Sequence, residues 1–203
     1  MLQRSVSEPG ALTIGRDGTI GGGTSGYDKR LDALRGLYVD GDAFETAVQE
    51  RGADSLAYRV EEHRDVEGPG ALIVGTSTLL AGRIGEEFAL TRGHLHAKSD
   101  RAELYYCLSG RGVMLLETIS GQNRAIPMSQ GDAVHVPGFW VHRSVNVGEE
   151  PFVSLFCYPA DAGQDYGLIA DAGGMAQMVV TDGDGGWTVR PNPRHVGYRG
   201  AAS

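Results

Sequence analysis

The stretch Thr91–Gly110, TRGHLHAKSDRAELYYCLSG, is the most informative part of this chain. His94 and His96 are two residues apart, so in an extended strand both side chains leave the same face. A polar turn follows, and Glu103 then begins a second apolar run that alternates with a period of two. A hairpin between the two runs would bring both imidazoles and the carboxylate together inside one barrel.

A second segment, Gly131–Asn146 (GDAVHVPGFWVHRSVN), supplies a third imidazole, His142. Two histidines alone would more simply be polar residues on a solvated sheet face. Three imidazoles and one carboxylate, in a chain with six histidines, suit a divalent transition metal: Fe, Mn, Ni, Co or Zn. Such a set leaves coordination positions open, as catalytic sites do. We therefore predict one divalent metal, of unspecified identity, bound by His94, His96, Glu103 and His142.

Several other reactive residue types receive an ordinary structural interpretation. Cys107 and Cys157 lie in apolar, strand-like runs, which favours two buried free thiols over a disulfide. Strand alternation predicts that His135 points to the face opposite His142. We expect no role in the site for three histidines: His63, His135 and His195.

The chain after Ser55 reads as about nine short apolar strands separated by turn signals, without room for crossover helices. This pattern predicts an all-β fold, an antiparallel β-barrel or jelly roll, preceded by a short helical segment. We expect a single domain over residues 1–203. Its parts would be an N-terminal extension with short helices (about 1–54), a metal-binding barrel (about 55–160) and C-terminal strands with a tail (about 161–203).

The N-terminal extension carries two helical patterns. Leu31, Leu34 and Leu37 fall on one helical face, and Asp42 is placed to cap a helix that begins at Ala43. The earlier run GGGTSG at residues 21–26 matches the spacing of a dinucleotide-binding loop. That site would need a buried strand before it and a βαβ unit around it, so we interpret the run as a flexible loop.

The net charge and the lengths of the apolar runs argue against several classes of partner. The formal net charge of -8 disfavours nucleic acid, because neutralising phosphates needs a basic surface. No apolar run approaches the roughly 20 residues that cross a bilayer, and MLQRSVSEPG at the N-terminus contains no signal-peptide core. We expect a cytoplasmic protein with neither a nucleic-acid nor a membrane partner.

The metal-ligand segments resemble those of the cupins, and this resemblance implies a cupin β-barrel of the jelly-roll type. The wide gap between His96 and Glu103, in GHLHAKSDRAELY, is similar to the archaeal-type (cupin) phosphoglucose isomerases. Further segments resemble that family in order, including KRLDALRGLYVDGDAF, GVMLLET and FVSLFCYPADAG, so the resemblance covers nearly the whole chain. Phe139 occupies a position where cupins usually have glycine. The second segment matches the cupin spacing at Gly131, Pro137, His142 and Asn146.

The resemblance implies a homodimer that interconverts glucose 6-phosphate and fructose 6-phosphate. It implies the metal ligands named above and a sugar-phosphate pocket whose binding residues are Tyr58, Ser77, Thr91, Gly93, Tyr105 and Tyr158. It places three residues at catalytic positions: Glu103, Gln164 and Tyr166. Gln164 stands where the family has histidine and cannot titrate near neutrality. Either this enzyme is slower or acts on another sugar, or the side chain only orients a hydroxyl.

Several alternatives remain open at this level. Glu103 could carry a proton between C2 and C1 of the open-chain sugar, or hydrogen could move directly as a hydride while Glu103 serves as a ligand. A cupin dioxygenase, an isomerase of another sugar phosphate and a metal- or sugar-binding module without turnover use the same four ligands. Oxygen consumption would identify the first, and binding without turnover the last.

Overall fold

The structure is a computed structural model that describes residues 8–23, 25–64 and 70–200. Residues 1–7, on which the signal-peptide expectation partly rests, and Thr24 of the glycine-rich run lie outside the described residues. No helix in the described ranges is long and apolar enough to cross a membrane.

The described residues are mostly β. Two α-helices, α1 (Gly41–Arg51) and α2 (Gly167–Asp171), and one 3-10 turn (Leu31–Leu34) accompany the strands. The strands, in chain order, are β1 (Thr13–Ile14), β2 (Ile20–Gly21), β3 (Ser25–Arg30), β4 (Leu56–His63), β5 (Leu72–Leu79), β6 (Arg83–Ile84), β7 (Glu87–Leu90), β8 (Glu103–Ser109), β9 (Arg111–Thr118), β10 (Asn123–Ser129), β11 (Ala133–Val136), β12 (Trp140–Asn146), β13 (Phe152–Pro159), β14 (Gln177–Thr181) and β15 (Trp187–Pro191).

The strands form two main antiparallel sheets. The front sheet has the order β11-β8-β13-β5-β4-β3, and the rear sheet has the order β10-β9-β12-β7-β14-β15, with β6 paired to β7. Neighbouring strands are far apart in sequence in several pairs, such as β13 with β5 and β12 with β7. This two-sheet, antiparallel arrangement confirms the predicted all-β cupin fold.

Side-chain alternation on β8 directs the functional residues inward. Glu103, Tyr105 and Cys107 are buried, whereas Leu104 and Tyr106 between them are 42% and 40% exposed. The period-two pattern predicted this division, because successive side chains leave opposite faces of a strand.

The two cysteines are free, as predicted. Cys107 is buried and Cys157 is half-buried, and no disulfide joins them. Burial raises the pKa of the Cys107 thiol to about 11, so the thiol stays protonated at neutral pH and packs as a small apolar group.

The N-terminal helices differ in one detail from the prediction. Leu31 and Leu34 are buried, as the pattern predicted, but they lie in the short 3-10 turn. The second helix begins at Gly41, and its cap is Asp40, whose Oδ1 accepts a hydrogen bond from Ala43 N at 2.8 Å. The predicted cap, Asp42, was wrong because the helix starts two residues earlier, which places Asp42 inside the first turn.

The glycine-rich run is not simply a loop. Gly21 ends β2, and Ser25 begins β3, which pairs antiparallel with β4 at the edge of the front sheet. The expectation of a flexible loop was therefore wrong at both ends of the run. The antiparallel pairing also excludes the βαβ unit that a dinucleotide site needs.

Candidate metal centre and pocket

The two histidines of the HLH segment reach the barrel interior by a route other than the predicted hairpin. Within residues 91–97 only His94 and Leu95 form β-bridges, and both bridges are isolated. His94 pairs with His142, with backbone N to O distances of 3.1 and 3.0 Å. Glu103 starts β8, which pairs with β11 and β13 in the front sheet. The predicted hairpin between these two segments was wrong. The ligand side chains converge because the front and rear sheets face each other.

The four predicted metal ligands form one compact, buried cluster. One ligand atom from each of them lies within 4.8 Å of the others. The Nε2 atoms of His142, His96 and His94 lie 2.9, 3.2 and 3.7 Å from Glu103 Oε2. Three imidazole nitrogens thus point at the same carboxylate oxygen.

The backbone fixes the orientation of two of these rings. His96 Nδ1 lies 2.8 Å from Arg101 O, and His142 Nδ1 lies 3.0 Å from Trp140 O. A carbonyl oxygen only accepts, so each Nδ1 donates a proton and a neutral ring presents its Nε2 lone pair inward.

The cluster has the donors and the protonation states that a cation needs. The Nε2 atoms of His94 and His96 are buried without a hydrogen-bond partner among the described residues. Burial, together with nearby His142, lowers the pKa of His94 to about 4. Burial alone would raise the pKa of Glu103, but the three imidazoles outweigh it and hold that pKa well below its usual value. Burial opposes protonation of His96, but its contacts with Glu103 and Arg101 O raise the pKa of that imidazole. An unprotonated His94 and an ionised carboxylate fit a divalent cation, whose binding would release a proton held by His96.

A small pocket opens over this cluster. Glu103, His94 and His142 form part of its wall, while His96 lies among the ligands but does not reach the pocket surface. The other predicted site residues that line it are Tyr58, Ser77, Thr91, Gly93, Tyr105, Tyr158, Gln164 and Tyr166. The structure therefore brings together the residues that the sequence singled out.

Arg92, between the predicted residues Thr91 and Gly93, also lines the pocket, and sequence reasoning missed six further residues of the wall. Tyr27 lies on β3 opposite Val60 of β4, in the N-terminal extension for which only short helices were predicted. The alternation of β4 and β12 could have indicated Glu62 and Ser144, which share a strand face with predicted site neighbours. The missed wall residues are Tyr27, Val60, Glu62, Arg143, Ser144 and Phe156.

The Thr91–Gly93 turn lies flat against β12. Thr91 N donates to Ser144 O at 2.9 Å, and Ser144 N donates to Thr91 Oγ1 at 3.1 Å. Gly93 has a φ of +73°, and a Cβ there would lie 2.9 Å from His142 O. Glycine is required at this position, since any side chain would push the turn away from the metal centre.

Much of the rest of the pocket wall is aromatic and hydroxyl-rich. Tyr166 OH donates to Gln164 Oε1, and the guanidinium of Arg92 lies 5.2 Å from the centre of the Tyr166 ring. Tyr158 packs beside His96 with ring centres 5.5 Å apart. These hydroxyls suit a polyol better than an apolar ligand.

The remaining histidines lie outside this pocket. His135 is exposed on β11, as alternation predicted. His63 Nδ1 lies 3.0 Å from Gly22 O, and His195 Nδ1 lies 2.8 Å from Gly174 O. Each is an ordinary hydrogen-bonded side chain.

A sequence model of the family described as "Glucose-6-phosphate isomerase (GPI)" matches residues 28–195, well over half of the chain and all of the pocket residues except Tyr27. The chain belongs to the glucose-6-phosphate isomerase family.

Relatives in this family come from bacteria and archaea. Glucose-6-phosphate isomerase of Sinorhizobium medicae is 48% identical over 89% of this chain and 84% of its own length. The enzyme of the same name from Thermococcus gammatolerans is 45% identical over 82% of this chain and 85% of its own. Among solved structures, oxalate decarboxylase from Bacillus subtilis overlaps 54% of this chain and 27% of its own, with 22% identity and a TM-score of 0.43.

Proposed function

We propose that this chain is a metal-dependent aldose–ketose isomerase that interconverts glucose 6-phosphate and fructose 6-phosphate. The observation that carries the proposal is the convergence of three imidazole nitrogens and one carboxylate, within 4.8 Å of one another, at the wall of a hydroxyl-rich pocket. Membership of the glucose-6-phosphate isomerase family supports the same activity.

His94, His96, Glu103 and His142 would hold one divalent metal: Fe, Mn, Ni, Co or Zn. When bound, such a cation supplies Lewis-acid polarisation of the sugar oxygens at C1 and C2. The backbone carbonyls of Arg101 and Trp140 keep two imidazoles in the ligating tautomer. The centre needs no further residue to be complete.

Glu103 is the residue on which we place hydrogen transfer. Aldose–ketose isomerisation moves one hydrogen between C2 and C1, and a carboxylate beside those carbons can accept it as a proton and return it. The other carboxylate of the pocket wall, Glu62, lies 3.3 Å from the guanidinium of Arg64 and accepts from Tyr158 OH at 3.5 Å. Glu103 alone belongs to the metal cluster.

The substrate phosphate would occupy the end of the pocket formed by Thr91, Gly93 and Ser77, with Arg92 adding positive charge. The sugar hydroxyls would then face Tyr58, Tyr105, Tyr158 and Tyr166. Gln164 would orient the Tyr166 hydroxyl, since its Oε1 accepts that hydrogen bond. This placement keeps the phosphate away from the metal ligands and the reacting carbons close to Glu103.

We further propose a single-domain protein over residues 1–203, with the extension, barrel and tail divided near residues 54 and 160, that acts in the cytoplasm as a homodimer. Light scattering after size exclusion should then give twice the chain mass of 21.6 kDa. A mass equal to one chain would contradict the homodimer.

The direct test measures turnover of fructose 6-phosphate. A dehydrogenase that acts on glucose 6-phosphate reports the product as it forms. We expect turnover without oxygen consumption, and a loss of at least about a hundredfold in kcat for Glu103→Ala. Mannose 6-phosphate and unphosphorylated fructose serve as competitor substrates in the same assay. Binding of fructose 6-phosphate without turnover would contradict the proposed isomerase activity. Oxygen uptake would indicate dioxygenase chemistry.

A further inference from the structure

Arg143 is a buried cation beside the pocket that the proposed reaction does not use. It follows His142 on β12, and 4% of its surface is exposed. Part of Arg143 lines the pocket, but alternation along the strand turns the His142 and Ser144 side chains toward the pocket and directs the Arg143 guanidinium to the other face. Burying a guanidinium is costly, so its contacts there are informative.

The guanidinium reaches back under the Thr91–Gly93 turn. Arg143 Nη2 donates to Arg92 O at 2.8 Å. Burial lowers the pKa of Arg143, and the charges of Glu87 and Glu117 oppose that shift. Neither acid lines the pocket. Glu87 accepts from Val39 N at 2.6 Å, and Glu117 from Ala176 N at 2.8 Å.

The contact with Arg92 O determines which way the next N–H points. Arg92 C=O and Gly93 N–H belong to one planar trans peptide, and in such a unit the two groups point in opposite directions. Because Arg143 holds the carbonyl on the outer side of the turn, the Gly93 N–H is directed to the inner side. A charged donor on the carbonyl also polarises the peptide and strengthens its N–H as a donor.

We propose that Arg143 is a positioning residue for the phosphate end of the pocket: it fixes and polarises the Arg92–Gly93 peptide so that its N–H donates to a phosphate dianion. The inference rests on the proposed function for the place of the phosphate, but not on turnover. Backbone hydrogen bonds on both sides of Gly93 support it independently, because Thr91 N donates to Ser144 O at 2.9 Å and His94 N donates to His142 O at 3.1 Å, which holds this turn in place against β12.

Inorganic phosphate is the probe that tests this role without catalysis. Its dissociation constant would be measured by calorimetry on the metal-loaded protein, for wild type, Arg143→Met and Arg143→Lys. We expect Arg143→Met to weaken phosphate binding about tenfold or more, the effect of one hydrogen bond to a charged group. Arg143→Lys keeps a cationic donor and should recover part of that loss. Arg190→Met, which removes an exposed arginine paired with Glu86, should bind phosphate like wild type.

Two further readouts separate positioning from a general structural role. The metal dissociation constant of Arg143→Met should stay within about threefold of wild type, and the KM for fructose 6-phosphate should rise more than kcat falls. Phosphate affinity unchanged in Arg143→Met, parallel loss of phosphate and metal binding in both variants, or no phosphate binding by wild type would overturn the inference. Failure of turnover alone, with phosphate binding as expected, would contradict only the proposed function.

Discussion

Gln164 is the residue at which this chain departs from the family pattern that it resembles. Its Oε1 accepts a hydrogen bond from Tyr166 OH, and both side chains line the pocket. An amide cannot exchange a proton near neutral pH, so this contact supports a role in orienting the tyrosine. The alternative, a histidine role in proton transfer that Gln164 cannot replace, makes a different kinetic prediction.

If Gln164 only orients Tyr166, Gln164→Ala should lower kcat/KM about tenfold, because one hydrogen bond in the pocket is lost. Gln164→His should stay within a few-fold of wild type. Tyr166→Phe provides the matched control, and the double variant should lose little more than either single one, since both remove the same contact. A rise in kcat of tenfold or more in Gln164→His, measured with fructose 6-phosphate, would refute the orienting role.

At the scale of elements, the connection between His96 and Glu103 is held from outside the barrel. Asp161, after β13, binds Arg101 through two bonds, Nε to Oδ1 at 3.0 Å and Nη2 to Oδ2 at 2.9 Å. Lys98 Nζ lies 2.8 Å from the same carboxylate. Arg101 and Lys98 hold the pKa of Asp161 well below its usual range, so the carboxylate is ionised at neutral pH. Asp161, Arg101 and Lys98 thus form a salt-bridge clamp. The clamp positions Arg101 O, which in turn orients His96.

We therefore expect Asp161→Ala to weaken metal binding about tenfold, as loss of an outer contact to a metal ligand commonly does. Competition with a chelating dye measures the dissociation constant without turnover. Asp100→Ala is the matched control, because Asp100 contacts the same arginine at 2.9 Å but is largely exposed. Equal losses in the two variants would show that the charge of the loop matters rather than the clamp.

The start of α1 gives a prediction about stability. Asp40→Ala should lower the free energy of unfolding by about 1 kcal/mol, because the Ala43 N–H loses its cap. Asp42→Ala should cost less than about 0.5 kcal/mol, as it removes only a favourable charge in the first turn. Urea denaturation of both variants measures the difference. The reverse order of effects would restore Asp42 as the cap.

Local sequence patterns predicted a strand or helix well where that element is long and has one apolar face. The first of the apolar runs after Ser55, LAYRVEEH, corresponds to β4 from Leu56 to His63. The alternation of β8 predicted that Glu103 faces inward. Two-residue strands such as β1 and β6 carry too little pattern to be recognised. The pairing of the His94 segment with β12 is non-local, so no turn signal in the sequence encodes it.

The whole molecule explains why the site residues were nevertheless found. Each ligand was identified by its chemistry and by which face of its own segment it occupies, and neither depends on which strands pair. Tyr27 and Arg143 were missed for the complementary reason. Tyr27 reaches the pocket only because β3 joins the front sheet, and Arg143 acts from the outer face of β12 through a backbone carbonyl. Such roles become visible only once the sheets are assembled.

Metal binding should also stabilise the folded molecule as a whole. The unfolded chain does not hold the four ligands together, so a saturating divalent cation raises the free energy of unfolding by mass action. The midpoint of thermal unfolding should rise with added metal in wild type and should not rise in His142→Ala. A similar rise in both proteins would place the metal elsewhere.

We propose that turnover depends on one metal held by His94, His96, Glu103 and His142. The most direct test strips the protein with EDTA, adds back Fe(II), Mn(II), Ni(II), Co(II) or Zn(II) in steps, and measures bound metal and turnover of fructose 6-phosphate in the same samples. His142→Ala is compared with His135→Ala, which removes an exposed histidine outside the pocket. We predict that, with the competent metals, activity rises in proportion to bound metal and saturates at one equivalent per chain in wild type and His135→Ala, with none in His142→Ala. Full activity in the stripped protein, or in His142→Ala, would show that turnover does not depend on this metal site.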